Sequence, residues 1–250
     1  MKGPALTEKL GDILLRFRID PYDNSAEISK AFLRVGIQEC DRDCTRFLWY
    51  ENPQDDNSPI VTCRFKSVLF GATCSPFLLQ ATLDTHWRSS SSEYKDIISK
   101  NFYVENLLGT SKDDEQLRDL YHNANNDLMQ ANMPLRMWVS NDPNLNRIIE
   151  LDYPNYKVRE STAVLGLHWD IKDDMINIKP PAFVDHSSLS KRKLLSLVSS
   201  VFDPLGLLTP ITIKGKLLLR EAWMLKIGWD EALPPSFSER LIFLREEYQK

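Results

Sequence analysis

Glu105 and Asn106 stand at the centre of "NFYVENLLGT", residues 101–110, between the apolar runs 102–104 and 107–108. An acid and an amide at the tip of an otherwise buried hairpin admit two readings. One is a surface turn, since Asn tolerates the positive φ that tight hairpins need. The other is a polar pair held out for chemistry, which requires a partner from another strand. Glu27, at the end of the short strand "NSAEI", is the residue that the chain order can bring there. Other chemistries lack their spacing. Cys40, Cys44, Cys63 and Cys74 form no CxxC pair, and His86, His122, His168 and His186 are scattered, so a zinc site is not expected. Cys74 and Ser75 have no motif-placed His, and no GxSxG occurs, which argues against a Ser or Cys hydrolase.

The elements that would position these residues follow from periodicity. Leu10, Ile13, Leu14 and Phe17 mark an amphipathic helix after Thr7 as a cap. "TRFLWY" and "IVTCRF" read as a hairpin across the turn-rich "ENPQDDNSP". Ser75-Pro76 opens a helix as cap and first turn. After the 101–110 hairpin, Ser111 and Asp114 resemble a capping box before Leu117, Leu120, Tyr121, Ala124 and Leu128. "LRMWV" is a strand ended by "SNDPNLN", "TAVLGLHWD" and "MINIK" form another hairpin, and the chain is helical from about Leu189.

Taken in order, the elements around the acid–amide pair are β-α-β-β-α-β, the ferredoxin-like layout, with a hairpin inserted before the first helix. Right-handed crossovers then place the first strand between the last and the third, antiparallel to the third. Glu27 should meet Glu105 and Asn106. The expected class is α+β.

Bulk properties bound the function. The 250 residues are 42% hydrophobic and 26% charged, which is ordinary for a folded protein of one large domain or a domain with an appendage. No signal peptide or run of about 18 apolar residues is present, so no membrane role and an intracellular location, with reduced and mostly buried thiols, are expected. A net charge of −4 does not mark a nucleic-acid binder. Residues 187–228 nevertheless hold seven basic residues against Asp203 and Glu221, a pattern that suits a phosphate-tracking groove and, nearly as well, a solvated helix face.

Five blocks in order resemble the reverse transcriptase of BEL/Pao-type retrotransposons: "LLRFRIDPYDNSAEISKAFLRVGIQECDRDCTRFLW", "VLFGATCSPFLLQATL", "FYVEN", "AVLGLHWD" and "KRKLLSLVSSVFDPLGLLTPITIKGKLLLREAW". The resemblance implies a polymerase palm with partial fingers and a primer-grip hairpin over 1–180. A truncated helical thumb and connection region over 181–250 would stop short of an RNase H-like domain. It implies catalytic positions at Glu27, Glu105 and Asn106, with Tyr103 and Val104 completing the hairpin. Paired Mg²⁺ or Mn²⁺ ions would be held by Glu27 and Glu105, since carboxylates supply the hard oxygens such ions take. Phe32 falls at the steric gate, Gly71, Ser75 and Pro76 on the template–nucleotide side, and Leu165 and Gly166 at the primer grip. Lys191, Arg192, Lys193, Lys214 and Lys216 would contact phosphates. An RNA/DNA primer–template is the implied partner, with the rest of a polyprotein (RNase H, integrase), in cytoplasm or a virus-like particle.

The family carries Asp where this chain has Glu27, Glu105 and Asn106. A Glu arm is about 1.5 Å longer, and misplacement of about 1 Å costs roughly a hundredfold in rate. Asn106 drops a charge. Asp20 and Asp23 lie close by in sequence and align with neither metal position. The expectation is a polymerase fold with weak or no activity, set against a non-catalytic nucleic-acid-binding or assembly module. The family's C-terminal stretch is also labelled an aspartic peptidase, but no Asp-Thr-Gly or Asp-Ser-Gly occurs, and Asp84-Thr85 runs into His86 inside a helix.

Overall fold

The structure, a computed structural model, describes residues 3–181 and 189–248. His186 and Ser187 lie outside the described residues, as do residues 182–188 of the expected 181–250 region. The chain divides into two compact units, Met1–Arg159 and Glu160–Lys250.

The first unit is built on a four-stranded antiparallel sheet in the order β4 (Phe102–Tyr103), β5 (Asn106–Ser111), β1 (Tyr22–Ile28), β6 (Leu135–Ser140). β1 therefore lies between the last strand and the third, the ferredoxin-like order the chain predicts. Helices α2 (Ser75–Ser89) and α4 (Asp114–Gln130) fill one face. Leu79, Leu83 and Trp87 of α2 and Leu117, Leu120, Tyr121, Ala124 and Leu128 of α4 join Ala26, Ile28, Leu107, Leu135 and Trp138 in one core. Each fully buried aliphatic side chain there contributes about 1.5–3 kcal/mol of transfer free energy. α1 (Leu10–Arg16) buries Ile13 and Leu14. The inserted hairpin pairs β2 (Arg46–Tyr50) with β3 (Ile60–Arg64), all of β2 being exposed.

Several helix starts differ from expectation, each for a local reason. α1 is capped by Lys9, with no side-chain bond and not by Thr7. Ser75 is the first residue of α2, and its hydroxyl donates to the Leu69 carbonyl. α4 is capped by Asp113, whose carboxylate accepts from the Gln116 amide at 2.8 Å, two residues past the expected Ser111. The short α3 (Lys95–Lys100) and α5 (Pro143–Asp152) were not expected. Asp142 caps α5 by accepting from the Asn144 and Leu145 amides, and Pro143 needs no donor there.

The second unit holds a separate three-stranded sheet, β7 (Ser161–Val164), β8 (Leu167–Asp170) and β9 (Met175–Asn177). Because these strands bond only to one another, the hairpin expected with residues 1–180 falls in this unit. Three helices follow: α6 (Lys191–Ser199), α7 (Thr209–Met224) and α8 (Pro235–Glu247). Their core is Leu189, Leu194, Leu218, Ala222, Leu233 and Phe237. Gly215 of α7 faces Val198 of α6 and Leu244 of α8, where an added Cβ would lie 3.1 and 3.4 Å away. Among the described residues, no helix is long and apolar enough to cross a membrane.

Candidate functional site

The register brings the expected residues together. Glu27 of β1 lies opposite Asn106 of β5, and the Ile28 amide donates to the Glu105 carbonyl at 2.8 Å. Tyr103 pairs with Asn106, so Val104 and Glu105 are the two tip residues of the hairpin. Val104 takes φ 56°, a conformation that costs a β-branched residue about 1–3 kcal/mol and persists only where the surroundings impose it. Ala26 and Ile28 face the helices, so the alternation of β1 turns Glu27 to the opposite side of the sheet.

Sequence reasoning missed Arg136. On β6, Leu135 and Trp138 both enter the helix-side core, although residues three apart on a regular strand face opposite ways. A bulge reconciles them. The pairing shifts between Ser25 and Glu27, with Met137 at φ 56° as the extra residue. The shift sets Arg136 directly across from Glu27, and its guanidinium donates to Glu27 Oε1 at 2.8 Å. The pair is partly exposed, 50% for Arg136 and 28% for Glu27. No signal in "LRMWV" marks the bulge, since Leu135, Met137 and Val139 fit plain alternation.

The charges act on one another. Burial first, and the neighbouring Glu27 carboxylate second, push the Glu105 carboxyl above the usual range, while Arg136 pulls it back. Tyr156, whose hydroxyl donates to the Trp138 carbonyl at 3.0 Å, lies near enough to feel Glu27, and burial pushes its phenol up. Asp23 is fully buried and accepts from Arg18 at 2.8 Å.

The other expected positions fall as follows. Phe32 is a core residue, 8% exposed, with its ring edge-on to Phe70 at 5.7 Å. Gly71 is exposed at φ 85°, Ser75 is buried and Pro76 sits in the first turn of α2. Leu165 and Gly166 make the β7–β8 turn with φ 48° and 91°, and Gly166 lies against the Phe202 ring. The basic set is corrected in part. Lys191 is buried, and its Nζ donates to the Leu225 and Ile227 carbonyls at 2.7 and 2.8 Å, so it serves the fold and not a phosphate. Arg192 makes two bonds to Asp230 and lies over the Trp229 ring. Lys214 is paired with Glu247. The Lys193 amide closes the cap of α6 on Ser190, and Lys216 is exposed.

The fit to paired divalent ions is poor. Two ions need several hard oxygens that are not already neutralised. Glu27 is ion-paired, burial and the Glu27 carboxylate raise the Glu105 carboxyl above its usual range, and Asn106 offers only an amide. Among the described residues, no three His, Cys, Asp or Glu side chains cluster as a metal-holding group.

Comparison with known proteins adds one match. Residues 190–250 match the model of the Pao retrotransposon-like RNaseH-like domain. Over this stretch the resemblance implies a thumb and connection region, whereas the matching model carries an RNaseH-like description. The described part of that segment is helical, with a single bridge between Ser190 and Ala232. No curated protein matches the chain. The match supports a region of a Pao retrotransposon polyprotein and does not reach residues 27, 105 and 106.

Proposed function

We propose that the first unit is a reverse-transcriptase-like palm of a retrotransposon polyprotein that has exchanged its catalytic cations for Arg136. The observation that carries this reading is the Arg136–Glu27 ion pair beside Glu105 and Asn106, on a β-α-β-β-α-β frame. A fixed guanidinium neutralises the carboxylate that a divalent ion would otherwise need, and no step of nucleotidyl transfer is routed through this site. The remaining role is to hold a primer–template, as a nucleic-acid-binding or assembly module within a larger polyprotein.

Primer extension on poly(rA)·oligo(dT) with Mg²⁺ and with Mn²⁺ tests the reading, alongside binding of the same duplex in chelator. The expected result is no extension and undiminished binding in chelator. Extension that disappears in Glu27→Ala would overturn it, since the tip would then still support catalysis. A variant with Asp at positions 27, 105 and 106 and Arg136→Gln serves as the control for an intact scaffold.

A further inference from the structure

We propose that the outer face of α7 and α8 binds a second copy of this chain. The two helices run antiparallel, as their cross-pairs show: Lys214 with Glu247 at one end, and Glu221 with Arg240 at the other. The pairs are two helical turns apart, about 10 Å. Between them lies a groove of about 290 Å³. Leu218 and Leu244 form its floor, 2% and 6% exposed, while Leu217 and Phe243 line it at 44% and 60% exposure. An exposed Phe within such a groove is of the aromatic kind in which interface cores are enriched.

Charge identifies the occupant. Around the groove the four corners alternate in sign: Lys214 positive, Glu221 negative, Arg240 positive, Glu247 negative. A uniformly acidic or basic partner gains at two corners and is repelled at two. A copy of the same face, turned about a two-fold axis lying in the contact plane, meets an opposite charge at every corner. With the axis across the helices, Lys214 faces the copy's Glu221 and Arg240 its Glu247. With the axis along them, Lys214 faces the copy's Glu247 and Arg240 its Glu221. Self-complementarity of this kind is what an isologous interface requires. The Phe243 ring of each copy then enters the groove of the other, and four antiparallel helices close over it. Helices of 16 and 13 residues offer a face about 24 by 20 Å, roughly 500 Å² per copy against about 800 Å² for a stable interface, so association should be weak and need micromolar concentrations or above.

Sedimentation equilibrium of the whole chain tests this over about 1–200 µM, the range in which such a dimer forms. The mass should move from monomer to dimer, and Phe243→Asp should weaken association at least about tenfold while leaving the thermal melt cooperative. The decisive variant inverts all four corners (Lys214→Glu, Glu247→Lys, Glu221→Arg, Arg240→Glu). It keeps both pairs within the chain and should self-associate like the unaltered protein. Mixed with the unaltered chain it should form no heterodimer, because every corner then meets its own sign. A chain monomeric throughout the range, unchanged association in Phe243→Asp, or free mixing of the two charge forms would each overturn the proposal.

Discussion

At the scale of residues, the site is a balance among three charges. Glu105 has its folded-state value raised by burial and by Glu27, so the folded chain binds its proton more tightly than the unfolded chain. The stability this confers is fully present below the ordinary Glu range, and it is lost as pH rises through the raised value. Glu105→Gln should therefore melt slightly higher than the unaltered chain at neutral pH, with the difference shrinking as pH falls into the ordinary Glu range. Thermal melts across that range check it. Arg136 acts in the opposite direction, drawing the Glu105 value down. Arg136→Met should push the Glu105 titration further up in a carbon-detected NMR titration. An unmoved Glu105 would mean that the guanidinium does not govern this site.

Elements decide how much of this could be read from sequence. The convergence of Glu27 with Glu105 and Asn106 was legible, because element order and crossover handedness fix the strand order, and strand order fixes which ends adjoin. Arg136 was not legible by alternation alone, since one extra residue in β6 resets which side chain faces β1. The cap of α4 moved to Asp113 because its carboxylate accepts from the Gln116 amide, while the Ser111 hydroxyl accepts from the Asp113 amide one turn earlier. α5 was hidden because "SNDPNLN" carries turn residues that equally well make a cap and a first turn. Lys191 shows the same limit in the basic segment. Charge counting treats it as surface, yet the fold turns its amine toward two carbonyls at and just beyond the end of α7. Lys191→Met keeps the packing stem and removes both bonds, so it should destabilise the chain by about 2–3 kcal/mol. Denaturant unfolding measures this, and nucleic-acid affinity should not change for protein that remains folded.

For the whole molecule, what matters is how many cations remain available to a phosphate backbone. The chain is net acidic at −4, so any affinity must come from a local patch and not from overall attraction. Of the seven basic residues counted from 187 to 228, Lys191 is buried, and Arg192 and Lys214 already hold Asp230 and Glu247. Lys193 is half-buried, which leaves Lys216, Arg220 and Lys226 as the exposed cations outside those two ion pairs, among the described residues of the segment. Each phosphate neutralised on a duplex contributes about −0.9 to the slope of log K against log salt, so three contacts give roughly −2.7. The set read from sequence alone (Lys191, Arg192, Lys193, Lys214 and Lys216) gives about −4.5. Fluorescence anisotropy of a labelled primer–template over a salt series separates the two. A slope near the smaller value that falls by about one in Lys216→Ala, and is unmoved in Lys191→Met, places the contact on the α7 side of the segment. A slope near the larger value would require Arg192 and Lys214 to leave their carboxylates on binding. A slope near zero would remove this segment from nucleic-acid recognition and leave the first unit to supply whatever affinity exists.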